Sequence, residues 1–138
     1  MKKILLLSFC IFAQLVAKAQ STYYDFTAKN DDGETLYYKK TDEANREVTL
    51  AQNESFDAYS NLTKLVIPAK VKNTKDHDKE YTVVGIGLTF NAQKFDLLKE
   101  LILPNTLKRF EWQPFLYLKN IKKLTIPASV THYDGLTI

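Results

Sequence analysis

LTKLVIPAKV (residues 62–71), LKELILPNTL (98–107) and IKKLTIPASV (121–130) are nearly one phrase written three times. Aligned on Pro68, Pro104 and Pro127, their apolar positions coincide: Leu62/Leu98/Ile121, Leu65/Leu101/Leu124, Ile67/Leu103/Ile126 and Val71/Leu107/Val130. The last two prolines are 23 residues apart and the first two 36. The excess of 13 matches an inserted piece, KNTKDHDKEYTVV, residues 72–84.

Each phrase reads as a strand followed by a stop. Leu65 and Ile67 alternate with Lys64 and Val66, the period of a half-buried strand. Pro68 cannot donate to a ladder, so the strand ends before it. Val71 then returns the chain to the core. One such unit cannot bury its own apolar row, whereas stacked units bury each other's, with strands about 4.8 Å apart in a parallel sheet. A repeat of about 20–29 residues is the period of a leucine-rich solenoid.

The second halves of the units are looser. After Leu107 the chain reads KRFEWQPFLYLKN, with Phe110, Phe115 and Leu118 at helical or tight-turn spacing. Ile86, Phe90, Phe95 and Leu97 take similar roles after the insertion, and Tyr133 matches Phe110 in the closing THYDGLTI. The third unit is thus half a unit. Upstream, ETLYYKK (34–40) and REVTLA (46–51) read as two strands of a hairpin around TDEAN (41–45), with NESFDAYSN (53–61) as a loop. The strand-like YTVVGI (81–86) makes the insertion a further β excursion.

Residues 1–19 read as a secretory signal peptide. Met1-Lys2-Lys3 is a basic start, residues 4–17 are almost wholly apolar, and Ala17-Lys18-Ala19 offers small residues at the cleavage positions. The apolar run is shorter than the roughly 20 residues that span a bilayer, so no membrane insertion is expected after cleavage. The whole chain has 19 basic against 16 acidic residues. The leader takes Lys2, Lys3 and Lys18 and no acid, which leaves 16 against 16. Nothing in that balance marks a nucleic-acid partner. The single Cys is Cys10, inside the leader, so no disulfide is expected in the exported chain.

Catalytic signals are absent from the sequence. There are two histidines, His77 and His132, and no GxSxG elbow, glycine-rich phosphate loop or spaced metal-ligand motif. No catalytic residue, metal or cofactor is expected. Asp76-His77-Asp78 are adjacent in a charged loop, and neighbours in sequence do not converge on one ion. Asp31-Asp32-Gly33 lacks the spaced oxygens of a calcium loop and reads as a turn. Trp112, Phe115 and Tyr117 form a candidate sugar platform, with core packing as the competing reading. Asn53-Glu54-Ser55 and Asn61-Leu62-Thr63 match the N-glycosylation acceptor, a pattern common by chance.

The candidate binding residues come from the outward columns of the stacked strands. One column is Lys64–Glu100–Lys123, another is Val66–Ile102–Thr125, and Thr63–Lys99–Lys122 runs beside them. The alternating charges of the first column favour stacking, and the face as a whole is where a solenoid binds. Three strands of about five residues, about 5 Å apart, cover a few hundred Å². A standard interface needs roughly 800 Å² per partner. This face therefore needs help from other surfaces, an oligomer, or weak multivalent contacts.

LxxLxIPxxV repeated three times, a return turn, an aromatic half-unit and an upstream hairpin together resemble the BspA-type leucine-rich repeat family. The resemblance covers about residues 34–133. It implies a mainly β fold: a leader at 1–19, an N-terminal β cap at 20–61, and a short solenoid of parallel strands at 62–138, about two and a half units long. It implies an exported, non-enzymatic binding or adhesion module in the periplasm, at the cell surface or outside the cell. The implied partner is a host or bacterial surface protein. The resemblance carries over no particular binding residues; the candidates Lys64, Val66, Glu100, Ile102, Lys123 and Thr125 come from the strand columns. The alternative, favoured by the half unit, is a truncated paralogue or a structural piece of a larger surface assembly with no binding role of its own.

Overall fold

The computed structural model describes residues 21, 23–87, 95–110 and 118–133. The expected leader, Phe90, and the aromatic trio Trp112, Phe115 and Tyr117 lie outside the described residues. The chain is mainly β, with ten strands among the described residues: β1 (Phe26–Lys29), β2 (Thr35–Asp42), β3 (Glu47–Ala51), β4 (Lys64–Val66), β5 (Lys70–Asn73), β6 (Lys79–Ile86), β7 (Glu100–Ile102), β8 (Arg109–Phe110), β9 (Lys123–Leu124) and β10 (His132–Tyr133).

The three phrases pair as their letters align. β4, β7 and β9 form a parallel three-stranded sheet. Lys64 stands opposite Glu100, which stands opposite Lys123, and Leu65, Leu101 and Leu124 follow suit. Leu65 and Leu101 are buried while Lys64 and Lys123 are exposed. All three strands stop before their proline, and the return residues Val71, Leu107 and Val130 are buried. The strands are shorter than expected, at three, three and two residues.

A larger mixed sheet runs β1–β2–β3–β6–β8–β10, with β5 added to β6. The first three strands are antiparallel, and β3, β6, β8 and β10 run parallel. β2 and β3 cover the segments read as a hairpin. β1 is an additional strand that the reading of residues 20–61 did not anticipate. Phe26 and Ala28 face the core side, and the turn Asn30–Glu34 with Gly33 at φ +82° reverses the chain into β2.

The insertion at 72–84 makes most of the hairpin β5–β6, whose turn places His77 and Asp78 at positive φ. Its last two residues in register, Gly85 and Ile86, sit opposite Arg109 and Phe110, which sit opposite His132 and Tyr133. Each phrase thus supplies one strand to the three-stranded sheet and is followed by one in the parallel part of the mixed sheet. Residues from both sheets, from Phe26 to Val130, form one core.

Burial falls along the stack. Ile67 is 2 % exposed, Leu103 is half-buried, and Ile126 is 41 % exposed. Ile86 and Phe110 are fully buried, whereas Tyr133 is 47 % exposed. Ile126 and Tyr133 were expected to face the core, and they hold the expected place in the repeat but lack a following layer among the described residues. Leu97, also expected inside, is exposed, while Phe95 and Leu98, named beside it from the sequence, are buried.

Candidate functional site

β4, β7 and β9 place the six candidate residues on or beside one short sheet. Lys64, Ile102, Lys123 and Thr125 are exposed, and Val66 and Glu100 are half-buried. Val66 lies opposite Ile102 in the ladder. Thr125 follows β9 and lies outside the paired residues. The charged column is only partly continuous. Lys123 Nζ lies 3.5 Å from Glu100 Oε1, while Lys64 Nζ turns to Asp32 Oδ2 at 3.8 Å. Both pairs are largely in water and each contributes about 0–1 kcal/mol.

A shallow groove of about 360 Å³ is lined by Glu100, Ile102, Lys123 and Thr125 of the six, together with Leu103, Asn105 and Pro127. Lys64 and Val66 lie outside it. Its lining combines the apolar Ile102 and Leu103, the Glu100–Lys123 ion pair and a threonine hydroxyl. That set can offer apolar contact and hydrogen bonds, and its lining holds no nucleophile–base pair. Asn105 was not among the residues read from sequence. It lies just past Pro104, three residues beyond Ile102, where the outward strand columns end.

A dense electrostatic cluster among the described residues lies elsewhere, between two hairpin turns. The Glu43 carboxylate accepts from Tyr81 Oη at 2.8 Å and from Lys79 Nζ at 3.0 Å, and Lys40 Nζ lies at 3.1 Å. Lys79 first, then Tyr81 and Lys40, pull the Glu43 pKa down to about 2. Asp76 is lowered too, chiefly by its hydrogen bond from Lys79 at 3.3 Å. These groups satisfy one another and tie the β2–β3 turn to the β5–β6 turn. The loop Asp76-His77-Asp78 serves this tie. The His77 side chain is fully exposed. Among the described residues, no group of three His, Cys, Asp or Glu is placed to hold a metal ion, and no helix is long and apolar enough to cross a membrane. No family model, curated protein or solved structure matches the chain.

Proposed function

We propose that the chain is a short leucine-rich solenoid of the BspA type, capped at its first layer by the β1–β3 unit, that works as an exported, non-enzymatic protein-binding or adhesion module. The observation that carries this reading is the register Lys64–Glu100–Lys123. Three copies of one phrase stack so that their variable outward positions form a single face with Ile102 at its centre. Exposed apolar side chains beside rim charges are the composition of a small protein-binding patch. The strands are shorter than the sequence reading assumed, so the patch binds weakly alone and gains strength by presentation in several copies.

The test is adhesion of protein-coated beads to a panel of immobilised host matrix proteins. The double variant Ile102→Asp with Lys123→Glu should abolish adhesion while leaving the thermal midpoint within a few degrees, because both side chains are exposed. Unchanged adhesion would move the binding site off this face. Adhesion by neither protein to any partner would favour the second reading, a structural piece of a larger assembly. The observation behind that reading is the exposure of Ile126 and Tyr133 at the last layer.

A further inference from the structure

The two ends of the stack β4–β7–β9 differ. At the head, the side of β4 away from β7 is already covered by the turn Asn30–Glu34, whose Asn30 side-chain amide donates to the Val66 carbonyl at 3.0 Å. Asp31, Asp32 and Gly33 of that turn are exposed. At the tail, among the described residues, no further layer follows. β9 pairs only with β7 and β10 only with β8 among those residues, so each keeps an unpaired main-chain edge. Ile126 and Tyr133 are exposed beside these edges, as are Lys122 and Lys123.

Charge alternates from one end to the other. Asp32 lies 3.8 Å from Lys64, Lys64 stands opposite Glu100, and Glu100 lies 3.5 Å from Lys123. The row begins on a carboxylate and ends on an ammonium. Each end also holds an exposed charge with no ion pair among the described residues, Asp31 at the head and Lys122 at the tail. Lys29, next to the head turn, is outnumbered there by Asp31, Asp32 and Glu34.

These ends are complementary to each other and not to themselves. Head on head sets carboxylates against carboxylates, and the β4 edge is already taken by Asn30. Tail on tail sets Lys122 and Lys123 against their own copies, and like charges opposite one another are destabilising. Tail on head continues the alternation.

We propose that copies of this chain stack head to tail, the last layer of one seated on the Asn30–Glu34 end of the next, with Lys122 and Lys123 facing Asp31 and Asp32 and Ile126 covered at the joint. Such a joint is heterologous, so it extends into a chain of copies or closes a ring, and it does not stop at a two-fold dimer. β9 and β10 have two residues each. With their sheets about 10 Å apart, the end surface is a few hundred Å², below the roughly 800 Å² per partner of a standard interface. The joint is therefore weak in dilute solution and fills where copies are crowded. It does not depend on what the β4–β7–β9 face binds, and it supplies the several copies that weak contacts need.

The test is sedimentation velocity of the purified protein at low salt, from about 10 μM to about 1 mM. The expected result is a mean mass that rises with concentration beyond two copies and falls back in about 1 M salt, where charges are screened within about 3 Å. Asp31→Lys and Lys122→Glu should each weaken association at least fivefold at an unchanged thermal midpoint, because both side chains are exposed and stand outside the ion pairs of the row. Mixed in equal amounts, the two variants should associate again, since the reversed head of one meets the reversed tail of the other. Both variants keep Ile102 and Lys123, so loss of stacking and loss of adhesion by the face are read separately. A monomer at every concentration, a mass that stops at two copies, or a mixture no better than either variant alone would each overturn the proposal.

Discussion

The side-chain amide of Asn30 donates to the main-chain carbonyl of Val66 at 3.0 Å, joining the turn after β1 to the end of β4. β4 is an edge. Its Thr63 carbonyl and Ile67 N–H bond the β7 side, so the alternate residue Val66 points its carbonyl outward. Asn30, which is buried, meets that carbonyl as a further strand would. Its Oδ1 also accepts from Glu34 N–H at 2.9 Å. Asn30→Ala should cost about 1–3 kcal/mol by orphaning both groups. Asn30→Asp keeps an acceptor for Glu34 but sets a charge against the Val66 carbonyl, and should be worse than Ala at neutral pH. Urea titration of the three proteins checks the order.

Two buried tyrosines should respond in opposite ways to loss of their hydroxyl. Tyr59 Oη donates to the Ala51 carbonyl at 2.7 Å and accepts from Tyr37 N–H at 3.1 Å, closing the end of the β2–β3 ladder. The Tyr38 hydroxyl is buried and has no partner among the described residues. Burial raises both hydroxyl pKa values, so both stay protonated wherever the protein folds. Tyr59→Phe should cost about 1–3 kcal/mol, and Tyr38→Phe should be neutral or slightly stabilising. Thermal midpoints decide between them.

Gly85 is required by packing. It lies between Thr49 of β3 and Arg109 of β8 in the parallel rows. A Cβ at this position would meet Thr49 Cγ2 at 2.6 Å and Arg109 Cγ at 3.3 Å. Gly85→Ala should cost about 1–3 kcal/mol by overpacking. Thr49→Ser removes the nearer methyl, so the pair Gly85→Ala with Thr49→Ser should recover part of the loss. A double-mutant cycle reads that coupling.

The tie between the two hairpin turns should be acid-labile. The Glu43 pKa is lowered on folding, from an ordinary 4.5 to about 2. A depressed carboxylate stabilises the fold above its unfolded pKa and loses that contribution as pH falls through the folded value. The midpoint difference between the protein and Glu43→Gln should therefore be full near pH 6, shrink below about pH 4.5, and vanish near pH 2. A constant difference over that range would show that Glu43 does not titrate with the fold.

The register of β4, β7 and β9 was legible because identical letters occupy identical places, and a parallel sheet aligns them. The hairpin of β2 and β3 was legible from alternation around a polar turn. β1 was missed although Phe26-Thr27-Ala28-Lys29 alternates and Asn30–Gly33 is a turn, because four residues carry little periodicity. The joining of β3 to β6 is invisible in sequence, since parallel partners so far apart share no local signal. The burial of Ile126 was misjudged because inward direction and burial are different things: the first follows from the strand's own period, the second from the layer beyond it. Four of the six candidate residues meet at one groove, and the meeting of Asp32 with Lys64 could only be seen in three dimensions.

The graded exposure from Ile67 through Leu103 to Ile126 gives the molecule a direction. Amide protons should exchange slowly in the first layer and quickly in the third, and opening should begin where Tyr133 sits. Each inner layer is covered on both sides, whereas the outermost described layer is covered on one side alone. The third layer is therefore the part of the stack whose order responds most to what is packed against Ile126 and Tyr133.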